Sequence, residues 1–156
     1  MSGRRQVSSL GLTVTPPTGW EATIYRRPPA PGERTYPVLH AATVSIPTQR
    51  GDYGGGLVEM LGPADVFVSV LEFGPDAADS ALFRTLDGVP GLTPDAYGTR
   101  QLQRVIRGQA GVQRFFTVGG RAFCLYSVIG SVANRIPLTA QANQVIGSLR
   151  ISPAGA

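Results

Sequence analysis

His40 is the single histidine of the chain and Cys124 its single cysteine. Each is a residue type that can do chemistry near neutral pH: imidazole as base or metal ligand, thiolate as nucleophile. Their surroundings argue for structural roles. His40 lies in the alternating run from Val38 to Ile46, with no Ser/Asp or His/Cys/Glu constellation beside it in sequence. A triad would need partners brought in by the fold, and a zinc site lacks its ligands. Cys124 sits in the middle of an apolar run and reads as a small buried apolar residue. Asp76 and Asp79, three apart in GPDAAD, suit the positive end of a short helix. The glycine-rich GDYGGG at 51–56 has no Lys-Ser/Thr ending and no helix signal after it, so it reads as a turn, not a phosphate cradle. The sequence thus predicts no catalytic, cofactor-binding or metal-binding residue.

Charge is more informative. All 14 basic residues are arginine, a bias that GC-rich coding produces and that points to an actinobacterial type of source. Residues 1–95 carry a formal −3 and residues 96–156 a formal +7, with no acid in the second stretch. Arg100, Arg104 and Arg107 recur close together; Arg26, Arg27 and Arg34 decorate the proline-rich stretch RRPPAPGERTYP at 26–37. These six are the candidate protein-binding residues, and their sign favours an acidic partner. Nucleic acid is disfavoured, because strand alternation sends Arg104 and Arg107 to opposite faces and no nucleic-acid motif accompanies them. Pairing with the acidic first part of the chain is the structural use of the same charges, and Glu72, which interrupts an apolar strand, is expected to pair with an arginine of the neighbouring hairpin.

The elements that must position these residues centre on 113–131, QRFFTVGGRAFCLYSVIGS. Gly119-Gly120 between two β-rich runs predicts a hairpin with a two-residue type I′ turn. Val118 then pairs with Arg121, Phe116 with Phe123 and Arg114 with Leu125. Val118, Phe116, Phe123, Leu125 and Ile129 share one face, and Phe115, Cys124, Tyr126 and Val128 the other. Both faces are apolar, so the hairpin should be covered on both sides. Further strands are expected at Leu10–Val14, Trp20–Ile24, Val38–Ile46, Leu57–Leu61, Val66–Phe73 and Leu102–Arg107, the last as a third strand against the hairpin. Gln49–Gly56 reads as a mobile connection. A short helix is expected over Asp76–Phe83 and one helical turn at Pro94–Tyr97. Leu138, Ala142, Val145, Ile146 and Leu149 recur at the spacing of an amphipathic helix, with Pro137 in its first turn and a short edge strand after it.

The fold class is therefore α+β. A mostly antiparallel sheet of about six to seven strands carries a C-terminal amphipathic helix on one face, with a short helix after residue 75. Residues 1–8 read as a flexible tail and 9–153 as one domain. No apolar run approaches the roughly 20 residues of a membrane span. The N-terminal MSGRRQVSSLGL has no h-region, and a lone cysteine suits a reducing compartment; both point to the cytoplasm.

Pro17-Thr18-Gly19-Trp20 after an early strand, Phe115–Arg121 in a long penultimate hairpin, and a helix running into Asn143–Ile151 resemble the PsbP-like (Mog-type) α/β sandwich, which includes LpqN-type and DcrB-type bacterial proteins. The stretch from Gly108 to Gly130 also resembles a group of actinobacterial proteins. The resemblance implies a non-enzymatic protein-binding module or adaptor, since members mostly act by binding other proteins and share no catalytic residues. The alternatives are a small-ligand carrier using a pocket between sheet and helix, and a structural subunit of a larger assembly.

Overall fold

The computed structural model describes residues 5–155. Among these residues, eight strands form two antiparallel sheets. The smaller has the order β1 (Val7–Ser9), β2 (Leu12–Val14), β8 (Arg150–Ile151). The larger has the order β3 (Glu21–Tyr25), β4 (Val38–Ala42), β5 (Val66–Glu72), β7 (Arg121–Ile129), β6 (Ala110–Val118). One helix, α1 (Arg135–Ser148), precedes β8.

The β6–β7 hairpin has the register its turn dictates: Val118 faces Arg121, Phe116 faces Phe123, and Arg114 faces Leu125. Gly119 and Gly120 have φ of 61° and 79°, which glycine adopts without a Cβ clash. Alternation then sorts the side chains into two cores. Phe116, Phe123, Leu125 and Ile129 join Leu12, Val14, Leu39, Val68 and the buried stripe of α1, Leu138, Ala142, Val145 and Ile146. Cys124, Tyr126 and Val128 join Val38, Phe67, Leu57 and Val58 on the opposite side. Each fully buried Leu or Phe contributes about 1.5–3 kcal/mol, so the hairpin anchors both layers.

The two covers differ in kind. One face of the large sheet is roofed by α1 and the small sheet. The other is roofed by irregular segments that insert Tyr53, Leu57, Val58, Leu102 and Ile106. Several expectations fail in that roof. Leu57–Leu61 is not a strand but a 3-10 turn over Val58–Met60, because the adjacent Leu57 and Val58 are both buried on one side. Leu102–Arg107 is not a strand either; turns let Leu102 and Ile106 both face the core, so β6 gains no third partner there. The helix expected over Asp76–Phe83 shrinks to a 3-10 turn at Pro75–Ala77. Asp79 takes φ 59° and its N–H donates to Thr117 Oγ1, which breaks helical geometry. The turn at Pro94–Ala96 forms as expected.

At the N-terminus, Val7–Ser9 is strand rather than tail, and Leu10-Gly11 is the tight turn between β1 and β2 rather than the start of a strand. Residues 1–4 of the expected tail lie outside the described residues. Among the described residues no helix is long and apolar enough to cross a membrane.

Candidate protein-binding surface

His40 is fully buried on β4, directly opposite Ser69 on β5. Both side chains donate to one acceptor, the backbone carbonyl of Asp52: His40 Nε2–H at 2.7 Å and Ser69 Oγ–H at 2.9 Å. The other ring nitrogen, Nδ1, accepts from Arg50 Nε at 2.7 Å. Burial lowers the His40 pKa to about 4, so the ring is neutral with its proton on Nε2. Ser, His and Asp are brought together here, yet no nucleophile is armed. The serine proton is committed to a carbonyl, the imidazole lone pair to a guanidinium, and the aspartate takes part through its backbone.

What this knot does is hold the 49–56 loop on the sheet. The Asp52 carboxylate accepts from Tyr25 OH at 2.7 Å and Arg27 Nε at 3.1 Å, and Arg50 lies 4.9 Å from the centre of the Tyr25 ring. Gln49–Gly56, expected as a mobile connection, is thus tied by hydrogen bonds to β3, β4 and β5.

The strand that this knot braces, β3, is an edge of the large sheet. Its outward groups follow from register. Thr43 N donates to Val66 O and Glu72 N to Pro37 O, so alternate residues Leu39 and Ala41 turn their peptide groups toward β5. Val38, His40 and Ala42 therefore bond to β3 through Tyr25, Thr23 and Glu21. That leaves the N–H and C=O of Ala22 and Ile24 aimed away from the sheet. Among the described residues, neither has a partner. β1 passes alongside but no ladder joins the two strands. Between them runs a groove of about 550 Å³ lined by Arg5, Val7, Trp20, Ala22 and Ile24.

The opposite edge is covered along most of its length. The residues of β6 that turn outward are Gly111, Gln113, Phe115 and Thr117. Thr117 exchanges bonds with Arg84 O and Leu86 N, and Gly111 with Gly98 in both directions. Gln113 N donates to Gln101 Oε1.

The six candidate arginines do not form one patch. Arg26 and Arg27 line a cleft of about 320 Å³ with Arg50, Tyr25 and Asp52 at the C-terminal end of β3. Arg27 is paired with Asp52 at 3.1 Å and Glu33 at 3.7 Å, whereas Arg26 and Arg34 are exposed, with no ion pair among the described residues. Arg100, Arg104 and Arg107 are exposed on the irregular roof, not on a strand, and Arg104 reaches Glu59 at 3.5 Å. Two arginines of the basic second stretch thus pair with the acidic first one: Arg104 with Glu59, and Arg121 with Glu72, the partner expected for that glutamate. Sequence reasoning missed the β3 edge. Its signal was there in Pro28 and Pro29 just beyond Tyr25, which suit a strand bordering loop and not one inside a sheet.

Comparison of the chain with family models, with curated proteins and with solved structures returns no match.

Proposed function

We propose that the chain is a cytoplasmic, non-enzymatic protein-binding module that takes up an extended, acidic segment of another protein as an added strand on β3. The observation that carries this reading is the unequal treatment of the two edges of the large sheet. Unpaired edges are normally blunted or covered. Here β6 is covered along most of its length, while Ala22 and Ile24 offer two consecutive pairs of outward peptide groups beside a groove that mixes Val7, Trp20 and Ile24 with Arg5, Gln6 and Glu21. Strand addition uses such groups for affinity and the flanking side chains for selection.

Arg5 in the groove and Arg26 at the end of β3, with Arg34 on the loop that follows, supply positive charge on this side of the chain, which favours acidic residues in the partner. The C-terminal helix on one face of an antiparallel sheet supports keeping the PsbP-like resemblance, whose members mostly bind proteins, within the same proposal. Cytoplasmic placement is supported by the single cysteine, a free and buried thiol.

The test is selection of binders from a displayed library of random segments, followed by measurement on Ala22→Pro. Proline removes the outward N–H of Ala22 without touching the ladder to β4. Enrichment of acidic segments whose binding is lost in that variant, with the fold retained, supports the reading. Segments that bind wild type and Ala22→Pro equally overturn it.

A further inference from the structure

On the face of the large sheet covered by irregular segments, a cavity of about 180 Å³ opens between Gly55-Gly56, the 3-10 turn at Val58, the 102–109 segment and β7. Its walls are Val58, Leu102 and Val128, with Glu59 and Arg104 among its polar lining. Two further residues of its lining carry polar groups with unused hydrogen-bonding capacity. Gln109 is 4% exposed; its Nε2 donates to Val58 O at 2.8 Å, and its Oε1 is buried without any partner. The amide cannot be turned round to cure this, because flipping it would set Oε1 against the Val58 carbonyl oxygen. The second group is the Tyr126 hydroxyl. It accepts from Gln103 N at 2.9 Å, and its own proton has no acceptor among the described residues. Burial raises its pKa, so that proton is present at neutral pH.

A buried acceptor left alone is destabilising, and such an atom in a folded protein calls for a ligand or water. The cavity is also the right size for more than water: roughly 150 Å³ of apolar space accepts benzene. The geometry points to this cavity as a binding site for a small primary carboxamide on a single apolar ring or branched body. The amide N–H would donate to Gln109 Oε1, its carbonyl would accept from Tyr126 O–H, and its apolar part would lie against Val58, Leu102 and Val128. This site is independent of the β3 edge, so failure of either leaves the other standing.

Benzamide is the probe, with acetophenone as a partner of the same shape that has the carbonyl but no N–H. Titration into labelled protein, followed by amide NMR, should shift the Gln109 side-chain resonances and the Gln103 and Val58 backbone signals saturably. Acetophenone should bind about tenfold more weakly, the loss of one hydrogen bond to a buried acceptor. Gly55→Trp places an indole at the cavity's rim where a Cβ meets nothing within 4 Å, so it should abolish the benzamide shifts while the rest of the spectrum keeps its dispersion. Equal affinity for the two probes, no saturable shift at these residues, or shifts that persist in Gly55→Trp would each overturn the assignment.

Discussion

Arg121 and Glu72 meet across β7 and β5 with Nη2 2.6 Å from Oε1, both side chains nearly 90% buried. The same guanidinium donates to the backbone carbonyls of Leu10, Gly11 and Ser152. One side chain thus fastens the large sheet to the turn of the small sheet and to the strand end that follows α1. Its carboxylate partner keeps it from being a lone buried charge.

Removing one member of such a pair leaves the other desolvated, so Arg121→Met should cost about 3 kcal/mol. Urea denaturation should show this as a lowered midpoint with little change in slope. The double variant Arg121→Met/Glu72→Gln should be less damaged than the sum of the single variants. Additive losses would mean that the two groups do not act as a unit.

His40 makes stability depend on acid. Its folded pKa of about 4 lies below the unfolded value of 6.5, so the unfolded chain takes up the proton first. Stability is therefore full above pH 6.5 and falls as pH drops toward 4, by about 3 kcal/mol in total. His40→Gln keeps a donor for the Asp52 carbonyl and an acceptor for Arg50 but does not titrate. Its stability profile should be flatter between those pH values, as read by thermal unfolding in a series of buffers; a profile as steep as wild type would assign the acid loss to other groups.

Cys124 should be inert in the native protein. Burial pushes its thiol up to about 12, and it is fully enclosed. A thiol reagent at neutral pH should modify it only at the rate of unfolding, and denaturant should release the reaction. Prompt labelling of the folded chain would contradict the packing of Cys124 beside Tyr53 and Tyr126.

Gly130 closes the end of β7 against the turn at residues 62–65, its N–H bonded to Asp65 O. A Cβ there would collide with the Gly62 carbonyl oxygen, a backbone atom that cannot swing aside. Gly130→Ala should cost about 3 kcal/mol or more, whereas Gly147→Ala, which meets nothing near α1's end, should be neutral or stabilising. Paired thermal melts measure both.

Arg26→Ala with Arg34→Ala should slow association with an acidic segment by about tenfold at low salt and by less at high salt. Arg104→Ala with Arg107→Ala, on another part of the surface, should leave that rate within about twofold. Stopped-flow association at two ionic strengths separates the pairs, and the opposite ranking would move the partner to the irregular roof.

What the sequence made legible was the part governed by short-range rules. The Gly119-Gly120 turn fixes the register of β6 and β7 without help, and period-two alternation then assigns Phe116 and Cys124 to opposite cores. The α1 stripe follows from spacing alone. The roof was illegible for a physical reason: Leu57-Val58 and Leu102–Ile106 are stretches with strand-like apolar residues, as short as strands, and only the shape of the surface they cover turns them into 3-10 and irregular segments. The His40–Asp52 knot was hidden differently. It is made with a backbone carbonyl, which no residue type advertises. The openness of β3 and the cover on β6 are both products of tertiary contact, between segments far apart in sequence.

On the proposed reading, the large sheet has one border that takes a strand, β3, and one mostly covered by loops, β6, a valence of one for that sheet. If the strand that joins β3 comes from a second copy of the chain, the product is a two-fold dimer whose joined large sheets end on the loop-covered β6 borders. Fibril formation by edge-to-edge stacking needs two open borders per molecule. On the proposed reading, the loops laid along β6 thus do more than fill a gap: they leave the large sheet one side, not two, on which to add a strand.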